Sequence, residues 1–134
     1  MEEKDREIRI GESRYYLGED NIVHAVEVGV MDDQKAMAIK EAYLKVLDIV
    51  KGKVNILVDL NKAKKPSAKA RKILNEINED KRVDRVAHFG MHPVARVMAS
   101  FLMGVSKKKE IRFFKTGEEA LKWLKKSGKD NGRK

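Results

Sequence analysis

Residues Val54–Leu60, with the sequence VNILVDL, carry almost only apolar side chains and predict a strand that is covered on both faces. Strands of this kind belong to sheets with parallel pairing, because helical crossovers then lie on both faces of the sheet. Helical patterns flank the segment on both sides. Apolar residues recur every three or four positions between Ala36 and Val50, and again between Ala70 and Ile77. We therefore predict an α/β domain built around this strand.

Strand and helix patterns continue to alternate outward from this centre. Two segments rich in aromatic or β-branched residues precede it and predict a hairpin. The predicted strands are Arg14–Leu17, Ile22–Val30, Val54–Leu60, Val83–Gly90 and Glu110–Phe114, and the predicted helices begin at Asp32 or Asp33, at Ser67, at His92 and at Thr116. The order β-β-α-β-α-β-α-β-α predicts a single-domain α/β sandwich, with a mixed, mostly parallel five-stranded sheet and four helices.

The chain ends predict the limits of this domain. We expect residues 13–126 to form it, residues 1–12 to be a flexible N-terminal segment and residues 127–134 to be a disordered basic tail. The last helix is expected to end at Gly128. The longest nearly apolar run, at 94–105, is shorter than the roughly 20 residues of a membrane span, and the charged N-terminus is unlike a signal peptide. We expect a cytoplasmic protein, either a monomer or a homodimer.

Composition and motifs exclude several classes of chemistry. The 134 residues contain no Cys, which excludes a disulfide scaffold, a Cys-ligated zinc site, an iron–sulfur protein and a thiol enzyme. The three histidines, His24, His88 and His92, lack the spacing of metal ligands. A nucleophile elbow, a Walker loop and a GxGxxG motif are absent from the sequence. We therefore predict no enzyme, no cofactor and no metal site.

Charge is distributed unevenly along the chain. The net charge of +9 combines −4 over residues 1–60 with +13 over residues 61–134. The predicted helix starts at Ser67 and His92 direct free N–H groups towards the carboxyl ends of parallel strands, where α/β sheets bind ligands. Lysines surround Ser67 in the sequence. The candidate ligand or phospho-regulatory site therefore consists of Ser67, Lys64, Lys65, Lys69 and His92.

A second basic cluster lies near the C-terminus and favours a different class of partner. Its members are Lys107, Lys108, Lys109 and Arg112. Proteins that bind single-stranded nucleic acid combine such clusters with exposed aromatic side chains, and Phe113 and Phe114 follow directly. The chain has only 6% aromatic residues and no RNP-like or KH-like signature. Nucleic-acid binding is therefore a secondary interpretation of this cluster.

Four segments resemble the STAS domain of anti-sigma factor antagonists, and more closely the compact SpoIIAA-like family, also described as STAS/SEC14-like. The resemblance spans roughly residues 13–126 and concerns structure more than chemistry. Its most specific part is the last segment, a strand ending in aromatic residues, a capped turn and then a helix. The segments are Val54–Leu60 (VNILVDL), the helix start at Ser67, Arg85–Gly90 (RVAHFG) and Glu110–Leu124 (EIRFFKTGEEALKWL).

The resemblance implies a small regulatory module that binds a protein partner and has no catalysis of its own. In phosphoregulated STAS proteins, a partner kinase phosphorylates a Ser at the start of the helix after the third strand. The matching segment here is Leu60–Arg71, in which Ser67 is the single hydroxyl. Ser67 as a plain helix cap is the alternative. The SEC14-like side of the resemblance implies a lipid or another apolar ligand. An anion, a phosphate headgroup or a lipid bound near Ser67 and His92 therefore remains the first alternative function, and nucleic acid the second.

Overall fold

A computed structural model describes residues 7–50, 52–90 and 110–133 of the chain. Within them, six strands form one sheet in which the order of the strands is their order along the chain. Three helices accompany the sheet. The elements are β1 (Glu7–Ile10), β2 (Ser13–Leu17), β3 (Ile22–Gly29), α1 (Asp33–Ile49), β4 (Val54–Ala63), α2 (Ala68–Asn78), β5 (Val83–Phe89), β6 (Glu110–Phe114) and α3 (Gly117–Arg133).

Both kinds of strand pairing occur in this sheet. The pairs β1–β2 and β2–β3 are antiparallel. The pairs β3–β4, β4–β5 and β5–β6 are parallel, as the covered strand at the centre predicts. The mixed α/β architecture with a single, mostly parallel sheet is therefore confirmed.

The prediction of five strands was wrong, because the described residues form a sheet of six. The additional strand is β1, which lies within the segment 1–12 that we expected to be flexible. A two-residue connection joins it to β2, and Gly11 at φ +61° adopts the left-handed backbone that such a tight turn requires. Ile8 and Ile10 pack against the main core. Two isoleucines in a charged terminal stretch are too weak a pattern to predict a strand of four residues.

The helices depart from prediction in number and in one boundary. Three helices, not four, lie in the described ranges, and the predicted helix at 94–102 falls outside them. The last helix, α3, continues beyond Gly128 to Arg133, through most of the sequence of the expected tail. A glycine inside a helix costs about 1 kcal/mol relative to alanine but removes no backbone hydrogen bond. Gly128 can therefore lie within α3 without ending it.

The helices cover the two faces of the sheet unequally. The larger core lies between the sheet and the helices α1 and α2, and its fully buried members include Val23, Ile39 and Val86. The smaller core lies under α3, where Ala120 and Leu124 pack with Ile22, Leu57 and Ala87 of the sheet. Consequently α1 and α2 lie next to each other on one face, and their starts follow two adjacent parallel strands.

Candidate functional site

The carboxyl ends of β3 and β4 bring the starts of α1 and α2 together. The two strands pair in parallel as far as Gly29 and Ala63. The loops that follow are also hydrogen-bonded: the Lys64 N–H donates to the Gly29 carbonyl at 3.0 Å, and the Ser67 N–H donates to the Met31 carbonyl at 3.1 Å. We call residues 30–33 together with residues 64–67 the α1–α2 corner. It lies at the edge where open α/β sheets bind their ligands.

Ser67 connects the two helix starts through its hydroxyl group. As predicted, it is the N-cap of α2, and its Oγ accepts a hydrogen bond from the Ala70 N–H at 3.0 Å. The same hydroxyl donates to Oδ1 of Asp33, at the start of α1, over 2.6 Å. The neighbouring Asp32 caps α1 by accepting from the Lys35 N–H at 2.8 Å. Ser67 therefore stabilises the start of α2 and joins it to the start of α1.

Asp33 is the member of the corner that sequence reasoning missed. The sequence pattern predicts that Ser67 lies beside His92, since these residues follow β4 and β5 along the chain. His92 lies outside the described residues. Parallel pairing of β3 with β4 implies that Asp33 lies near Ser67, because the loops after adjacent parallel strands meet at one end of the sheet. Two consecutive acidic residues after the second predicted strand marked that loop.

Lysines give the α2 side of the corner a positive charge. Lys64, Lys65 and Lys69 are exposed, as is Lys62 at the end of β4. Within the described ranges, none of these four lies at ion-pair distance from a carboxylate. The corner therefore combines two carboxylates at the start of α1 with uncompensated ammonium groups around the start of α2. The proximity of the predicted lysines to Ser67 is a consequence of the chain order, and their role in binding stays a prediction.

Replacing Ser67 with alanine removes both hydrogen bonds of the hydroxyl. We expect the free energy of unfolding to fall by about 1–2 kcal/mol, since loss of an N-cap alone costs about 1 kcal/mol. Ser67→Thr keeps a hydroxyl at the same position and is the matched control, with an expected change below about 0.5 kcal/mol. Urea denaturation followed by circular dichroism measures both. A loss in the alanine variant no larger than that in the threonine variant would contradict the role of the hydroxyl.

A buried polar cluster lies behind the corner. Glu27 of β3 is only 4% exposed, and the Tyr15 hydroxyl donates to its Oε1 at 2.5 Å. Lys35 of α1 donates from Nζ to the carbonyl of Val28 at 2.7 Å. This bond holds the ammonium group of Lys35 close to the carboxyl group of Glu27. Burial raises the pKa of Glu27, whereas the bond from Tyr15 and the charge of Lys35 act in the opposite direction. Burial beside Glu27 also raises the pKa of Tyr15.

His88 is a second buried titratable group, on the last residues of β5. It is 7% exposed, and its ring stacks on that of Phe113 with 4.6 Å between the centroids. Burial lowers the pKa of His88 from 6.5 to about 4, so that the ring is neutral at pH 7. Its Nδ1 atom has no hydrogen-bond partner among the described residues. Across the same residues, no three His, Asp or Glu side chains are close enough together to hold a metal ion.

The predicted basic surface near the C-terminus is described only in part. Arg112 is exposed, and its guanidinium lies 5.4 Å from the ring of Trp123, over which Arg85 also lies at 5.1 Å. Lys107, Lys108 and Lys109 fall outside the described residues. The observed contacts place Arg112 against α3 as a partner of Trp123. None of the helices described in the three ranges is long and apolar enough to cross a membrane.

Comparisons with known proteins identify the fold. A family described as "Domain of unknown function (DUF7793)" matches residues 15–127. Among solved structures, an uncharacterized protein of the DUF3478 family with a SpoIIAA-like fold, from Shewanella loihica, is similar with a TM-score of 0.60 and 19% identity. This match covers 88% of the present chain and 90% of the other.

A second solved structure extends this comparison. The anti-sigma factor antagonist SpoIIAA in its unphosphorylated form is similar with a TM-score of 0.58 and 13% identity, over 84% of this chain and 97% of that one. No curated protein matches the sequence. The predicted STAS/SpoIIAA-like fold is thus confirmed.

Proposed function

We propose that this chain, which belongs to the DUF7793 family, is a small cytoplasmic regulatory domain without catalysis of its own that binds a protein partner through the α1–α2 corner. The observation that carries the proposal is the 2.6 Å hydrogen bond between Ser67 and Asp33 at the meeting point of two helix starts. Its fold is that of SpoIIAA, a protein described as an anti-sigma factor antagonist. The comparisons lend no support to the alternatives of a bound anion or lipid and of nucleic acid.

Ser67 is the residue at which we propose that partner binding is regulated. A phosphate on its Oγ would carry a charge of about −1.5 to −2 and would replace the hydrogen that Asp33 now accepts. Asp33 would then face a second anion across a hydrogen-bond distance and be repelled. Lys64, Lys65 and Lys69 would attract the same phosphate from the α2 side. Modification would therefore change both the shape and the charge of the corner, and with them its fit to a partner.

Co-purification from the source organism tests this proposal. The tagged full chain is expected to retain a protein partner in near-stoichiometric amount, and Ser67→Asp, which adds one negative charge at the corner, is expected to reduce that amount at least fivefold. Lys53→Gln is the matched control, because it shifts the charge by the same unit at an exposed position near the opposite end of β4. Peptide mass spectrometry of the purified chain reports whether Ser67 carries a phosphate in cells.

Two results would contradict the proposal. Equal retention of the partner by the wild type and by Ser67→Asp would remove the corner from the binding surface. Absence of any protein partner, together with tight binding of a phosphate-bearing small molecule, would replace the function itself. Amide chemical shifts at residues 64–70 during a titration with inorganic phosphate measure the second case.

A further inference from the structure

The outer side of α1 carries an unusual set of apolar side chains. Among the described residues, the exposed large hydrophobic side chains are Val30 at 60%, Met37 at 59%, Leu44 at 37% and Ile49 at 37%. Single exposed apolar residues are normal on a protein surface. Here all four belong to one stretch of twenty residues, which comprises the loop before α1 and the helix itself. Exposed apolar side chains indicate an interaction surface where they lie close together in space, so the helix faces that carry these four residues are decisive.

Helical periodicity places two of these side chains, Met37 and Leu44, on one face, whereas Ile49 lies on another side of the helix. Met37 and Leu44 are seven residues apart, which is almost two full turns, so both project in the same direction. Asp33 and Glu41 fall on the same face, one turn to either side of Met37. Val30 lies in the α1–α2 corner, before the start of this row. We call Asp33, Met37, Glu41 and Leu44 the α1 stripe.

The neighbouring helix adds positive charge beside the stripe. α2 packs alongside α1, and the pair Lys40–Glu76 bridges the two helices at 2.9 Å. Lys69 and Lys72 are exposed on α2 on the same side as Glu76, two turns and one turn before it. With Lys64 and Lys65 they form a group of four lysines that, within the described part of the chain, have no carboxylate at ion-pair distance. A row of two apolar and two acidic side chains therefore lies next to uncompensated positive charge.

We infer that the α1 stripe and these four lysines form a docking surface for an acidic, amphipathic helix of a partner protein. Met37 and Leu44 have the spacing of seven residues that apolar anchors have along one face of a helix, so a second helix can pack its own apolar face against them. Acidic residues along one edge of that helix would pair with the lysines of α2 and of the corner, whereas Asp33 and Glu41 of the stripe would repel acidic residues on any other edge and so fix the orientation of the helix. This inference rests on the proposed function and names the class of partner that the corner binds.

Site-specific photo-crosslinking in the source organism tests the surface. The full chain carries p-benzoylphenylalanine in place of Met37, and the attached peptide is identified by mass spectrometry. We expect a peptide of another protein that is rich in Glu or Asp and has apolar residues at helical spacing. The paired charge reversals Lys69→Glu and Lys72→Glu should reduce the cross-linked yield at least fivefold. The same reversals at Lys53 and Lys81, which are exposed near the opposite edge of the sheet, should leave it unchanged.

The outcomes separate this inference from the proposed function. A cross-link to a second copy of the chain, to a basic or non-helical segment, or with equal yield from p-benzoylphenylalanine at Lys53 would overturn the docking surface. So would absence of a cross-link from position 37 while a partner still co-purifies in a Ser67-dependent way, and in that case the proposed function stands. If no partner co-purifies with the wild type at all, the proposed function fails and the docking surface fails with it.

Discussion

Tyr15→Phe is expected to lower the free energy of unfolding by about 2–3 kcal/mol at pH 7, because it leaves the Glu27 carboxyl group buried without its hydroxyl donor. Tyr15 is fully buried and donates to Glu27 at 2.5 Å. Removing one partner of a buried, charged hydrogen bond costs more than the bond itself contributes, since the remaining group is desolvated and unpaired. Urea denaturation measures the loss. Tyr16→Phe, the same change on the next residue of β2, should alter stability by less than about 0.5 kcal/mol.

The cost of Tyr15→Phe should increase with pH. Burial raises the pKa of Glu27 above 4.5 in the folded state, so the folded state favours the protonated carboxyl group. The contribution of Glu27 to the free energy of unfolding is largest below pH 4.5 and is lost as the pH rises through the folded-state pKa. The Tyr15 bond opposes that rise in pKa, and removing it makes the loss at neutral pH larger. We therefore expect the two proteins to differ more at pH 8 than at pH 4.5.

A double variant separates the charge of Glu27 from the packing of Tyr15. If the unpaired carboxylate causes the loss, Tyr15→Phe combined with Glu27→Gln should recover most of the stability at pH 8. An effect of Tyr15→Phe that is the same at every pH, or that Glu27→Gln does not reduce, would contradict this explanation. The loss would then come from the space that the missing hydroxyl leaves in the core, because the phenyl ring keeps the contact with Tyr43.

Acid is expected to destabilise the domain through His88. The pKa of His88 is about 4 in the folded state against an ordinary value of 6.5. Between these two pH values the imidazole binds a proton in the unfolded chain but not in the folded chain. This contribution to stability is complete above pH 6.5, falls as the pH decreases to about 4 and is constant below that. The shift corresponds to a loss of roughly 3 kcal/mol across this interval. Chemical denaturation at half-unit pH steps measures it.

Replacing His88 with an apolar residue should flatten this dependence. In His88→Leu, stability between pH 6.5 and pH 4 should change much less than in the wild type, although the lost stacking on Phe113 lowers the overall value. His24→Gln removes a histidine that is only partly buried and keeps His88, so the acid-side slope should remain. A His88→Leu variant with the slope of the wild type would show that other groups cause the acid effect.

The central strand and the helix caps were predictable because local chemistry determines them. The apolar run beginning at Val54 buries its side chains only where both faces of the strand are covered, and the structure places it in the middle of the sheet. Ser67 and Thr116 precede helical patterns at cap positions, and both accept backbone N–H groups as expected. The resemblance to the SpoIIAA-like family depended on the same local features, which is why it identified the fold and left the site undetermined.

The remaining features depend on contacts between residues far apart in the sequence. Asp33 and Ser67 are 34 positions apart, and nothing in either segment alone indicates their hydrogen bond. Glu27 is the acidic residue of a mainly apolar strand and resembles a solvent-facing residue until Tyr15 is placed beside it. The strand β1 is stabilised by pairing with β2 and by two partly buried isoleucines, not by its own propensity. Tertiary context determines all three.

The order of the strands has a consequence for how the chain folds during synthesis. Each strand pairs with the one that precedes it along the chain, so no strand has to be inserted between two that are already paired. A nascent chain that leaves the ribosome from its N-terminus therefore presents every new strand to a partner that has already emerged. The hairpins of β1, β2 and β3 need only short loops to close and can form first. The growing sheet exposes one temporary edge, which the next strand covers.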